Sequence, residues 1–160
     1  MQLHARTPCS RGFTLMELMI VVVIATILVS IAVPSYLSEV RQSRRAEAKT
    51  AVLDLASREE RYFSTNGSIY SITPTDLGYP GGAFPAPVGS DNYYTITVCS
   101  PAANCDPNAN VPAAPSYYIT VTPVAGGSQA GDTQCQSFSV DSTGQQFATG
   151  TIPSQQCWAR

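Results

Sequence analysis

The sequence has one histidine, His4, and one lysine, Lys49, and no basic residue at all from Tyr62 to Ala159. Each scarcity excludes something. With a single histidine, four residues from the start of the sequence, the usual nucleophile–base pairs are not expected. There is no G-x-S-x-G elbow and no glycine-rich phosphate loop. A C-x-x-C pair is missing too, so a zinc centre is not expected. Asp106-Pro-Asn108-Ala-Asn110 has the start of a calcium loop, but Val111 stands where the glycine should be and Tyr117 where the closing glutamate should be. No enzyme, cofactor or metal is expected. A region that carries Asp76, Asp91, Asp106, Asp132 and Asp141 without basic residues is also a poor nucleic-acid surface. Asn66-Gly67-Ser68 fits a glycosylation triplet, a pattern common by chance.

Charge is absent from one stretch altogether, Leu18 to Ser38. As a helix it would span roughly 32 Å, the thickness of a bilayer's hydrocarbon core. At its edge stands Glu17. A charge placed mid-membrane costs about 2.5–3.5 kcal/mol, so such a carboxylate usually has a partner. An ordinary secretory signal cleaved near Ser30-Ile31-Ala32 would also be apolar, but its core is shorter, about 7–15 residues. A plain signal-anchor with an unrelated outer domain is the other bland alternative.

Arg11-Gly12-Phe13-Thr14-Leu15-Met16-Glu17-Leu18, running into the apolar stretch, closely resembles the type III signal of type IV prepilins. Arg11 and Gly12 end a basic leader, Phe13 opens the mature chain, Glu17 is its fifth residue, and Pro34 takes the place of the family's helix-kinking proline. The resemblance implies cleavage after Gly12, methylation of Phe13 by the same peptidase, and an assembly role for Phe13, Glu17 and Pro34. It implies a leader at residues 1–12, a membrane or filament-core half-helix at 13–40, and an exported domain at 41–160. Implied partners are other pilin subunits, the prepilin peptidase/N-methyltransferase, an inner-membrane assembly platform and the inner membrane itself. DNA is a weaker possibility.

Cys9 would leave with the leader, and Cys99, Cys105, Cys135 and Cys157 make an even set. In an exported domain this reads as two disulfides with three possible connectivities. Cys99–Cys105 with Cys135–Cys157 is favoured, the second closing a loop of about 23 residues and contributing roughly 3 kcal/mol. One signal disagrees with export. Arg41, Arg44, Arg45 and Lys49 follow the span while only Arg6 and Arg11 precede it, against the positive-inside rule. Paired cysteines and the prepilin resemblance outweigh that count.

A single helix is expected from Phe13 to about Phe63. Nine of the thirteen residues from Val21 to Val33 are β-branched, a mediocre choice for a helix in water, and Pro34 removes a backbone donor. Residues around Thr26–Pro34 are therefore expected to stretch on filament packing. Beyond Ser35, Ala48, Val52, Leu55, Ala56, Tyr62 and Phe63 recur at helical spacing. Arg41, Arg44 and Arg45 read as a solvated face, or as partners for neighbours' Glu39 and Glu47. Gly67 is a good left-handed cap, and the Pro- and Gly-rich 68–92 an irregular connection. Alternation at 93–98, 117–122 and 136–141, with Thr and Ser outward, predicts an antiparallel sheet with one buried face. A turn at Asp141-Ser-Thr-Gly144 leads to a short strand at 145–148, and 101–115 is a loop.

The fold class is α+β, a long N-terminal helix on a small antiparallel sheet, similar again to type IV pilins. Cys135 to Gly144 with Cys157-Trp158 resembles the disulfide-bounded end of PilE-type pilins. The leading expectation is a structural subunit of a type IV pilus, major or minor, serving twitching motility, adhesion or DNA uptake. A pseudopilin of a type II secretion system is the alternative, and a single-span anchored binding domain comes last.

Overall fold

A computed structural model of the chain describes residues 12–84, 92–101 and 115–159. The chain divides into two compact units, residues 1–39 and 40–160. Helix α1, Leu15–Thr65, contributes to both. Within the described residues of the first unit every side chain is exposed, including Phe13 at 83%. Among the described residues α1 is the one helix with a segment long and apolar enough to cross a membrane, and none of that segment is buried within the chain. The helix runs through Pro34 without interruption.

In the second unit the stripe expected on α1 becomes the core: Ala48, Val52, Leu55 and Ala56 are buried. They pack with Leu77, Tyr94, Tyr117, Ile119, Val121, Phe138 and Val140 from the connection and the sheet. Tyr62 is only half-buried at the edge of that cluster. Two charged residues share the stripe, Arg45 one turn before Ala48 and Glu59 one turn after Leu55. Arg45 is therefore no solvated side chain, contrary to the expectation for the arginine cluster. It is drawn inward by Asp132.

After Thr65 the chain turns at Gly67, whose φ of 71° only glycine adopts freely. The Ser68 amide donates to the Phe63 carbonyl at 3.1 Å, closing the helix end. Residues 68–84 form turns without helix or strand. The sheet then follows as β1 Tyr94–Cys99, β2 Tyr118–Pro123, β3 Ser137–Asp141 and β4 Gln146–Thr149. The strands lie in sequence order and are antiparallel throughout. Register places Ile96 opposite Val121 and Ile119 opposite Val140, so the apolar sets expected to share a face do so.

The outward face departs from expectation. Ser137 and Ser139 were expected to be solvated, yet all five residues of β3 are buried. Central strands leave little room for water over small side chains, and the hydroxyls pair across the strands. Ser139 Oγ donates to Thr120 Oγ1 at 2.9 Å, and Ser137 and Thr149 hydroxyls lie 2.6 Å apart. The turn at Asp141 forms as expected, Asp141 Oδ1 accepting the Thr143 and Gln145 amides, each at 2.9 Å.

One element was not expected, the six-residue helix α2, Ser154–Ala159. Nothing so short is stable by propensity. Tertiary contacts hold it. Cys157 is bonded to Cys135, the Trp158 ring meets Phe138 edge-on at 5.7 Å, and its Nε1–H donates to the Phe147 carbonyl at 2.9 Å. From α1, Lys49 Nζ reaches the carbonyls of Cys157 and Trp158 at 3.4 and 3.3 Å. Gly150 permits the final approach: a Cβ there would lie 2.0 Å from the Gln134 carbonyl oxygen.

Candidate assembly site

The residues expected to act in assembly fall in two features of the first unit. At the start of α1, Thr14 precedes the first helical residue and caps it. Its Oγ1 accepts the Glu17 amide at 3.2 Å, and its carbonyl accepts the Leu18 amide at 3.2 Å. Thr14 and Glu17 thus stand at the two ends of a T-x-x-E capping pattern. An acid in the first turn also suits the positive end of the helix dipole. Around it Phe13, Leu15, Met16 and Leu18 are all exposed. A carboxylate thus stands on a helix turn whose neighbouring side chains, Thr14 apart, are apolar and exposed.

The second feature is the run up to Pro34. Thr26 Oγ1 donates to the Val22 and Val23 carbonyls at 3.0 and 2.8 Å, and Ser30 Oγ to that of Ile27 at 2.7 Å. Thr26, Ser30 and Pro34 follow at four-residue intervals. Hydroxyls bonded back to the preceding turn weaken and bend helices, and Pro34 cannot donate to the Ser30 carbonyl. Glu17 lies in the first turn of α1, and Phe13 just before its Thr14 cap. Pro34 lies 17 residues beyond Glu17, about 25 Å along the axis.

The expected Cys135–Cys157 bridge is present. Cys99 is also disulfide-bonded, and Cys105, its expected partner, lies outside the described residues, as do Cys9, His4 and the expected leader up to Arg11.

In the second unit the basic residues near the start of the domain have distinct partners. Arg45 is spent on Asp132. The Arg44 guanidinium stacks 3.7 Å over the Tyr93 ring and donates to Ser128 Oγ at 2.7 Å. Burial, helped by Arg45, holds the Lys49 amine below its ordinary value. Further along α1, Arg58 donates to Asp54 at 2.8 Å and to the Leu77 carbonyl at 3.1 Å, and its guanidinium lies over Tyr79. Tyr79 donates to the same carboxylate at 2.8 Å. Burial and that bond push the Tyr79 phenol up. The connection is thereby fastened to the helix by side chains whose roles no motif announces. Their only signal was position: Arg45 and Glu59 fall on the apolar stripe, where a charge needs a buried partner.

Comparison with known proteins agrees with the two halves of the chain. Residues 8–33 match the prokaryotic N-terminal methylation motif. Residues 34–139 match a family described as type IV minor pilin ComP, DNA uptake sequence receptor. A curated relative, the type IV major pilin protein PilA of Myxococcus xanthus (strain DK1622), is 35% identical over 106 residues, covering 66% of this chain. The aligned part spans 44% of that relative's length.

Proposed function

The chain belongs to the type IV pilin family, and from that premise we propose that it is a structural subunit of a type IV pilus. The observation that carries the reading is the first turn of α1. A capped Glu17 sits at the edge of a fully exposed apolar helix, inside the segment that matches the methylation motif. A prepilin peptidase cuts after Gly12 and methylates the Phe13 amine, which then lies four residues before a carboxylate. A buried carboxylate alone is costly, whereas one facing an ammonium a few ångströms away is stabilised. Glu17 of an incoming subunit pairs with the Phe13 amine of its neighbour and sets axial register while the apolar helices bundle. The run Thr26–Pro34, weakened by back-bonded hydroxyls and a missing donor, stretches as the subunits close up. Before assembly the subunit spans the inner membrane once, with its second unit outside the cytoplasm, where the Cys135–Cys157 bridge is stable. That bridged end also favours a pilus over a secretion pseudopilin.

Intact mass of the membrane-extracted protein tests the processing step. The expected chain begins at Phe13 and is about one methyl heavier than calculated. A start at Met1, or after Ala32, overturns the reading.

The match to a DNA uptake sequence receptor favours a second role, contact with DNA. Among the described residues, Arg41 and Arg44, near the start of the domain, form no ion pair. If they meet phosphate, Arg41→Ala with Arg44→Ala lowers affinity for duplex DNA and flattens its salt dependence. Unchanged salt dependence removes this role and leaves the structural one standing.

A further inference from the structure

Of the acids on α1, only Glu59 is buried, and it has no exposed surface. Its Oε2 accepts the Ser71 amide at 3.2 Å. Its Oε1 has no hydrogen-bond partner among the described residues. The groups that face it offer no relief. Glu60, next on the helix, is acidic and raises the cost of a second charge. From the connection, Asp76 holds the Ser71 hydroxyl at 2.8 Å, and Tyr70 donates to Glu60 at 3.2 Å. From the sheet side, Tyr117 turns to Glu60 as well. Arg58, the adjacent cation, is engaged by Asp54 and the Leu77 carbonyl.

We propose that Glu59 is a proton-operated latch: protonated, it keeps residues 69–73 seated on α1, and ionised, it draws in water and lifts that segment. Ionisation strengthens Oε2 as an acceptor, but one neutral donor does not offset a charge whose second oxygen is dry. Burial wins and, with Glu60, pushes the carboxyl up to about 7. A proton held more tightly in the folded state stabilises it fully below the ordinary carboxyl value, and the gain is lost as pH rises through about 7. The far end of the connection is held independently by Arg58 on Leu77 and Tyr79 on Asp54. Release is therefore confined to the Ser71 end. The latch depends on the second unit alone and stands apart from any filament role.

The test is hydrogen exchange of the full chain in detergent micelles at about pH 5.5 and about pH 8.5, corrected for intrinsic rates. Amides of 69–73 should lose protection about tenfold or more at the higher pH relative to those of 52–56, a tenfold change being what one unit of pKa difference supplies. Glu59→Gln should remove the pH dependence, and Glu60→Gln should keep it. Equal protection at both pH values in the unaltered chain, or the same loss in Glu59→Gln, overturns the proposal. If Glu59→Gln does not fold, the carboxyl-carbon titration of Glu59 in the unaltered chain decides. A midpoint near 7 that coincides with a shift of the Ser71 amide supports the latch, and one near the ordinary value sinks it.

Discussion

Arg45 and Asp132, 87 residues apart, meet as a two-pronged ion pair: Nε lies 2.6 Å from Oδ2 and Nη2 2.5 Å from Oδ1. Both side chains are almost wholly buried. The carboxylate is completed by Gln129 Nε2 at 2.9 Å and the Gln134 amide at 3.2 Å, and Arg45 also donates to Gln134 Oε1. The pair ties the loop between β2 and β3 to the helix.

Removing one partner leaves the other charge buried and unmatched, which costs about 3–5 kcal/mol. Asp132→Ala should therefore destabilise the domain by that order in chemical unfolding. The double change Arg45→Met with Asp132→Leu should cost much less. Equal losses in the two would mean that the pair acts through shape and not charge.

Loss of the Cys135–Cys157 bridge should lower stability by roughly 3 kcal/mol on the chain-entropy account. Without the bridge α2 keeps only the Trp158 contacts and a few hydrogen bonds, so Trp158 fluorescence should report its release before the sheet melts in Cys135→Ser with Cys157→Ser. A single transition seen alike by Trp158 and by far-ultraviolet dichroism would contradict this order.

Glu17→Ala leaves Thr14 to cap the helix and leaves the apolar run untouched. Membrane insertion and cleavage after Gly12 should proceed, while the variant disappears from sheared filaments. Quantitative mass spectrometry of filaments against membranes measures both. Normal incorporation would refute the Glu17–Phe13 pairing.

Asp54 is half-exposed. Burial raises its pKa, but bonds from Arg58 and Tyr79 outweigh that and hold the carboxyl below its ordinary value. A depressed carboxyl contributes stability above its unfolded value, lost as pH falls through the folded one. Tyr79→Phe should reduce that acid-sensitive part and cost about 0.5–1.5 kcal/mol at neutral pH, as one hydrogen bond does. Superimposable acid-unfolding curves would show that the bond contributes nothing.

Much of the domain was legible because its signals are local. Period-2 alternation at Tyr94, Ile96 and Val98 and at Phe138 and Val140 fixed which side of each strand faces the helix. The spacing of Ala48, Val52 and Leu55 fixed which side of the helix faces the strands. Gly67 marked the helix end through the one property a sequence displays openly, freedom at positive φ. What escaped notice depends on residues far apart. Arg45 looked like one of a solvated cluster because Asp132 is not its neighbour in sequence. Ser137 and Ser139 looked like surface because burial on the outward face comes from adjoining strands. α2 has no periodicity of its own, and only Cys157 hinted that the segment was held.

The placement of α2 gives the core a lid made by residues far from it in sequence. Phe138 on β3 receives its Trp158 cover, and Lys49 two carbonyl acceptors, from α2. Deleting Ser154–Ala159 would therefore uncover one side of Phe138 and remove two acceptors from the Lys49 amine at a single stroke.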